Sequence, residues 1–381
     1  MLYDKIAEYT ASGVYPMHMP GHKGNPEFLP PCMPYDIDIT EIHGFDDLHE
    51  PRGVLREVAE LAASLYGSVK AFPLVNGSTV GILASIGALA GRGDKVLVTQ
   101  GCHRSVYNAI SLFGLSPIYM AHEIDKATGA ACSVDPGQVE KALEIAPDIK
   151  FVIITSPTYE GVISDIRTIA DIVHKRDIPL LVDSAHGAHL GFSGMFPVSA
   201  VQAGADAVVM SLHKTLPALT QCSLLHICSQ RVRTGEVTRL LSVLQTSSPS
   251  YVLMASIDHC LRLVSRDKES LFGRYEHNLK RFDEDIRQLK NLFVLHHGSD
   301  APRPGFFAFD LGKLVIITKN TSLSGDMLAD ILRTEHSIEP ELSKEGFVIA
   351  MTSVCDSPEG FTRLANALIA IDRTAGRINP L

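Results

Sequence analysis

A chain of 381 residues is longer than a single hydrophobic core usually supports, so two domains are the default expectation. With 45% hydrophobic and 20% charged residues it reads as an ordinary soluble enzyme, and a formal charge of -9 with no basic run argues against nucleic acid as a partner. Seven scattered cysteines without a Cys-x-x-Cys pair argue against a disulfide framework or a zinc site, and no apolar run is long enough to span a membrane.

In chain order, residues 3 to 12 carry an amphipathic helical pattern. The opening Met1-Leu2-Tyr3-Asp4-Lys5 is polar rather than the start of a signal core, so a cytoplasmic protein is expected. From Pro16 to Pro51, Pro, Gly, His and acidic residues follow without periodicity. The scattered apolar residues Phe28, Ile37, Ile39, Ile42 and Phe45 favour an arm packed on another surface. Between Arg56 and Tyr66 apolar residues return at helical spacing. Strand and helix patterns then alternate: strand 71–75, helix 78–90, strand 95–99, helix 105–112, strand 117–120, helix 136–146, strand 151–155, helix 167–176, strand 179–182 and strand 207–210. Such alternation implies an α/β fold, a mostly parallel sheet with helices on both faces. Residues 251 to 290 read as a long charged helix with Gly273 as a candidate break. Strands at 306–311, 314–317 and 347–351 and helices at 324–335 and 358–372 read as a small α+β domain. The expected division is an arm at 1–50, a large domain at 51–255, and a linking helix with the small α+β domain at 256–381.

Ligands of such sheets collect outside the carboxyl ends of the strands, and the chemistry-bearing residues fall there. One apolar run ends in Asp183-Ser184-Ala185-His186 and the next in Ser211-Leu212-His213-Lys214. An amine on one strand end and a carboxylate on another are what an enzyme needs to hold pyridoxal 5'-phosphate (PLP): Lys214 to join its carbonyl as a Schiff base, Asp183 to keep its ring nitrogen protonated. Gly77 permits an unusual turn before Ser78 and Thr79, whose amides and hydroxyls then face an anion at a helix N-terminus. His103 follows a third strand end, where an imidazole can lie against a ring and exchange a proton. Ala185 lets a ring approach the backbone, His186 and His189 supply two more imidazoles, and Ser211 and His213 can reach the same phosphate. Cys102 reads as a small buried residue. A metal centre is not expected, since no second ligand cluster accompanies the two histidines and Lys214 would be left unexplained. Taken singly, each of these residues is a common cap, loop or surface residue; their joint order carries the reading.

The ordered segments Met19-Pro20-Gly21-His22-Lys23-Gly24, Asp38-Ile39-Thr40-Glu41, Phe45-Asp46-Asp47-Leu48-His49, Asn76-Gly77-Ser78-Thr79, Cys102-His103-Arg104-Ser105 and Pro157-Thr158-Tyr159-Glu160-Gly161 continue with three more. These are Asp183 to His189, Ser211-Leu212-His213-Lys214-Thr215-Leu216 and Thr246-Ser247-Ser248-Pro249-Ser250-Tyr251. From about residue 14 to 255 the chain thus resembles the ornithine/lysine/arginine decarboxylase family of PLP enzymes, which have the aspartate-aminotransferase-like fold type I. The resemblance implies a PLP-dependent transferase-like large domain. Lys214 would be the Schiff-base lysine, Asp183 the pyridinium partner and His103 the stacked residue. Ser78, Thr79, Ser211 and His213 would be phosphate ligands beside Gly77, with Ala185 and His186 against the other ring face. It also implies a homodimer with shared active sites, in which Ser248 and the arm around His22 and Asp38 serve the neighbouring site. The arm's other reading is a wrap that only secures the dimer. Ser184 stands where many relatives have an acidic residue, and Arg104 where they commonly have Lys. Relatives also continue into a further C-terminal domain, and bulky ones carry an N-terminal wing, so this chain is expected to be a short form.

The expected reaction is decarboxylation of an L-amino acid, with a basic substrate: ornithine, lysine or arginine. The alternatives are another PLP reaction (transamination, aldol cleavage or C–S lysis) or an inactive PLP-binding homologue. Asp38, Glu41, Asp47, Glu339 and Glu341 are the candidate anions for a distal ammonium or guanidinium.

Overall fold

The computed structural model describes residues 1–14, 17–20, 23, 25, 33–297, 304–319 and 321–376. Helix α1 (Leu2–Ala11) puts Leu2 and Ile6 into the core. The described part of the following arm has no regular element, yet Ile39 and Phe45 are buried in the chain's own core, while Phe28 lies outside the described residues. Asp46 ends the arm. Its carboxylate accepts backbone N–H bonds from Arg52, Gly53 and Leu55, supplying the cap that Gly53 cannot give to α2 (Val54–Tyr66).

The α/β part follows as β1 (Lys70–Leu74), α3 (Gly77–Leu89), β2 (Lys95–Thr99), α4 (Arg104–Phe113), β3 (Ser116–Met120), α5 (Pro136–Ile145) and β4 (Ile149–Thr155). It continues with β5 (Val162–Ile163), α6 (Ile166–His174), β6 (Leu180–Asp183), β7 (Ala207–Ser211), α7 (Leu212–Thr215), β8 (Ser223–Ile227) and α8 (Thr234–Leu244). Seven strands form one sheet in the order β1-β8-β7-β6-β4-β2-β3, parallel from β7 through β3, with β8 antiparallel to both its neighbours. The pleat sorts side chains by alternation: Val96 and Val98 pack with α3, α4 and α8, while Leu97 points into the cluster on the opposite face. Covered on both faces, the central strands are mostly apolar runs, as β7 is up to its terminal Ser211, with every residue buried.

Helix α9 (Tyr251–Ile286) runs 36 residues, roughly 54 Å at the usual rise, with no break at Gly273. A helical glycine costs about 1 kcal/mol relative to alanine, and burial of Met254, Ile257, Leu261 and Val264 before it and Tyr275, Leu279 and Phe282 after it outweighs that cost. Next come β9 (Phe293–Val294), β10 (Ala308–Phe309), β11 (Lys313–Ile317), α10 (Gly325–His336), β12 (Leu342–Lys344), β13 (Phe347–Met351) and α11 (Pro358–Thr374). Strands β12-β13-β11-β9 make an antiparallel sheet backed by α10 and α11. The strand expected over 306–311 shrinks to β10, which pairs with β5 of the α/β part and leaves the small sheet without it. The expected limit at residue 255 falls in the second turn of α9, and one apolar core runs from α9 to both sheets.

Candidate active site

A cavity of about 380 Å³ opens at the carboxyl ends of the parallel strands. It is lined by Gly77, Ser78, Thr79, His103, Asp183, Ala185, His186, Ser211, His213 and Lys214, so ten of the eleven expected cofactor residues meet there. Ser248 does not. It is exposed in the turn before α9, a segment tied to the cavity's edge by the bond from Thr246 N–H to Asn76 Oδ1 at 3.1 Å. Of the arm motif, Gly21, His22 and Gly24 lie outside the described residues.

One end of the cavity is a set of donors. Gly77 turns the chain at φ +71°, a left-handed conformation that strains any residue with a Cβ, and α3 begins without a side-chain cap from Asn76. The Ser78 hydroxyl lies 2.7 Å from that of Ser211 and 3.3 Å from that of Ser223, bringing α3, β7 and β8 to one point. Hydroxyls and free amides on a helix N-terminus constitute an anion site. Away from this end, Thr155 Oγ1, on β4 beside Asp183, is buried in the cavity wall without a partner among the described residues.

The middle of the cavity holds Asp183, 2% exposed at the end of β6. Burial pushes its carboxyl above the usual range, opposed by the bond from Ala185 N–H and by the charges of Lys214 and His103. At the mouth, His103 caps α4: its Nδ1 accepts the Ser105 N–H at 3.2 Å and sits 2.8 Å from the Ser105 hydroxyl. Cys102 beside it is buried, and desolvation pushes its thiol to about 11, so it is protonated at neutral pH. His213 is anchored through Nδ1–H to the Cys222 carbonyl at 2.9 Å.

At the far end, Lys214 Nζ lies 3.0 Å from His186 Nε2, and His186 Nδ1 lies 2.7 Å from Nζ of Lys313. Burial lowers the Lys214 amine below the ordinary lysine range, against the carboxylates of Asp183 and Glu341. Burial, reinforced by Lys313, Lys214, His103 and His189, holds His186 well below the usual imidazole range, so it is neutral. The Tyr159 ring meets His186 edge-on at 4.8 Å between centroids, and its hydroxyl donates to Glu341. Two loops meet the turn before β11: from the loop after β6, His189 Nε2 reaches Asp310 Oδ1 at 3.0 Å, and from the loop after β4, Gly161, at φ +89°, leaves no room for a Cβ beside Lys313.

Lys313 has no role in the sequence reading. The signal for it is a lysine opening the otherwise apolar run Lys313-Leu314-Val315-Ile316-Ile317, three residues after an aspartate. Tyr159 belongs to a segment that sequence motifs single out, but only packing assigns it a contact. Among the candidate anions, Glu341 alone raises the basicity of both Lys214 and Lys313 through its charge. Glu339 is engaged by Arg333 at 2.7 Å, and Asp47 by the backbone N–H of His49 at 2.8 Å. Glu41 acts on Tyr251.

Residues 1–291 match the family described as "Orn/Lys/Arg decarboxylase, major domain". The chain is 39% identical to the uncharacterized protein YaaO of Bacillus subtilis (strain 168) over 376 residues, covering 97% of this chain and 76% of that one. It is 33% identical to the arginine decarboxylase of the same organism over 384 residues, again 97% of this chain and 76% of the relative. The solved lysine decarboxylase LdcF of Francisella novicida superposes with a TM-score of 0.82 at 18% identity, over 98% of this chain and 60% of that chain. The chain thus spans less than two thirds of that solved decarboxylase.

Proposed function

Because this chain belongs to the ornithine/lysine/arginine decarboxylase family, whose cofactor is PLP, we propose that it is a PLP-dependent decarboxylase of a basic L-amino acid. The observation that carries the proposal is the convergence of Lys214, Asp183 and the α3 hydroxyl cluster on one cavity. Its volume of about 380 Å³ lies in the range of small-molecule sites. The residues fit the group: the open helix N-terminus and the serine hydroxyls suit a phosphate, a buried carboxylate suits a protonated ring nitrogen, and the unpartnered Thr155 hydroxyl beside that carboxylate leaves a polar group for the cofactor to satisfy. When bound, PLP supplies a ring that takes up the electron pair released as the bond from Cα to the carboxylate breaks.

The protein's own residues do the rest. Gly77, Ser78, Thr79, Ser211 and His213 would hold the phosphate end, Asp183 would keep a positive charge at the ring nitrogen, and His103 would lie against the ring. Ala185 and His186, which line the same cavity, would meet its other face. Lys214 would hold the cofactor between turnovers and move a proton at the reacting carbon.

Glu341 supplies the charge that selects a cationic side chain: it is exposed, it accepts from the hydroxyl of Tyr159, which lines the cavity, and its charge acts on Lys214. Ornithine, lysine and arginine offered with a wider amino-acid panel should yield CO2 from a basic member without keto acid. Keto acid without CO2 would instead indicate transamination. Glu341→Gln should raise KM for the preferred substrate about tenfold or more, as loss of one ionic contact of about 1.5–3 kcal/mol implies, with a smaller change in kcat. An unchanged KM would remove Glu341 from recognition.

The working form is a cytoplasmic homodimer in which the exposed Ser248 segment completes the partner's phosphate end. Light scattering should give twice the chain mass, and Ser248→Glu should weaken PLP binding. Random mixing of Lys214→Ala with Ser248→Glu subunits should recover about a quarter of wild-type activity, because half the dimers then carry one intact site of two. A fully active monomer would overturn the shared site.

A further inference from the structure

A second cavity, of about 390 Å³, opens at the carboxyl ends of β2 and β3, where α5 and α6 begin. It shares no described lining residue with the candidate active site, and its volume is again in the range of small-molecule sites. Its wall is tied together across the chain. Ser133 N–H donates to the Gly305 carbonyl at 2.9 Å and Phe307 N–H to the Ser133 hydroxyl at 2.9 Å, which brings Phe306 and Phe307 to the cavity.

Thr99, the last residue of β2, lines this space, is 2% exposed, and has a hydroxyl with no partner among the described residues. Strand alternation puts it on the same face as Leu97, which packs in the cluster that holds α5 and α6. A buried hydroxyl left unpaired costs free energy, and a ligand in this cavity can satisfy it.

The charged groups say which ligand. Glu123, Asp135 and Asp165 line the cavity, whereas none of its described lining residues is Lys or Arg. Asp135 and Asp165 cap the two helices: Asp135 Oδ1 accepts the Gly137 N–H at 3.0 Å, and Asp165 accepts both the N–H and the hydroxyl of Thr168. These caps set negative charge over both helix N-termini, which turns away an outside anion. Asp135 Oδ2 and the carboxylate of exposed Glu123 remain as acceptors. His122 Nδ1 lies 3.0 Å from the Cys132 carbonyl, which can only accept, so Nδ1 bears the hydrogen and Nε2 of the neutral ring is an acceptor too.

Acceptors, negative charge and two aromatic rings together suit cations with N–H donors on an apolar stem. We propose that this cavity is a second binding site, for an aliphatic dication with ammonium or guanidinium ends. Its donors would meet the Thr99 hydroxyl and the carboxylates of Glu123 and Asp135, and its stem the rings of Phe306 and Phe307. A ligand with a carboxylate of its own would be repelled by the same charges. Decarboxylation of a basic amino acid removes that carboxylate, so the product of the proposed reaction matches the cavity and its substrate does not. This last link rests on the proposed function; the binding site does not.

The test is titration calorimetry of the protein, with and without PLP, using N,N,N′,N′-tetramethyl-1,4-butanediamine. Its tertiary amines keep both charges but form no Schiff base with PLP. One molecule should bind per chain, and 4-(dimethylamino)butanoate, with a carboxylate in place of one amine, should bind at least about tenfold more weakly. Glu123→Gln combined with Asp135→Asn, which keeps a side-chain cap on α5, should weaken diamine binding about tenfold. Thr99→Val should weaken it about fivefold yet leave the melting temperature of the unliganded protein unchanged or higher, since valine removes an unpaired hydroxyl at similar shape. Glu341→Gln, at the other cavity, should leave binding unchanged. No heat of binding up to about 10 mM diamine, or binding that survives the Glu123 and Asp135 changes and is lost in Glu341→Gln, would overturn the proposal. Binding as expected by a protein that releases no CO2 would count against the proposed reaction and leave the second site standing.

Discussion

Lys214→Ala is expected to lower decarboxylation by at least about a thousandfold, or ~4 kcal/mol at ~1.4 kcal/mol per tenfold, and to remove the visible absorbance of lysine-bound PLP. The side chain is half-buried on α7, the short helix that follows β7, with its amine 3.0 Å from His186 Nε2. Its neighbours, Ser211 and His213, are held independently, by the Ser78 hydroxyl and the Cys222 carbonyl. The variant should therefore fold, keep the phosphate end intact and bind PLP without the lysine linkage. A small exogenous primary amine should restore part of the rate, because only an amine has been deleted. A purified variant that keeps both turnover and the absorbance would remove Lys214 from the chemistry.

The α/β scaffold was legible because its signals are local. Alternating apolar runs and helical spacing identify β2 at 95–99 to the residue, and most other elements within two positions. What escaped depends on neighbours. Strand β8 is only five residues long, Ser223-Leu224-Leu225-His226-Ile227, with two polar members, and it reads as a strand only because β1 and β7 bury it from both sides. Gly273 looks like a break until α1, α2 and α11 are seen packed along α9. The site divides in the same way. Lys214, Asp183 and the residues around Gly77 lie at strand ends, a position that pattern can find. Lys313 is brought in by a turn 99 positions later (Lys214 to Lys313), and no local pattern predicts that it meets His186. Polar contacts across distant segments are set by tertiary packing, and the sequence reveals them only as a charge where an apolar residue would fit better.

Asp183→Asn is expected to separate chemistry from stability by moving them in opposite directions. The substitution keeps shape but removes the negative charge, and an opposite charge close by commonly moves a pKa by ~1–3 units, so the protonated fraction of a ring nitrogen beside it falls by ~10–1000-fold. Decarboxylation should drop accordingly, by about a hundredfold, with weaker PLP retention. Stability without cofactor runs the other way. Burial raises the Asp183 carboxyl above its unfolded value, with Ala185 N–H, Lys214 and His103 opposing, so between the unfolded and folded pKa values the folded state binds more protons. Wild type without cofactor must therefore lose stability as pH rises through that window, and the loss persists at neutral pH. Asparagine does not ionise and escapes it, so the cofactor-free variant should melt at or above wild type near neutrality, the advantage vanishing as pH falls below the unfolded carboxyl range. A variant that melts well below wild type at neutral pH would mean that the charged Asp183 is a structural partner of Lys214 and His103. Unchanged activity would mean that no positive charge needs it.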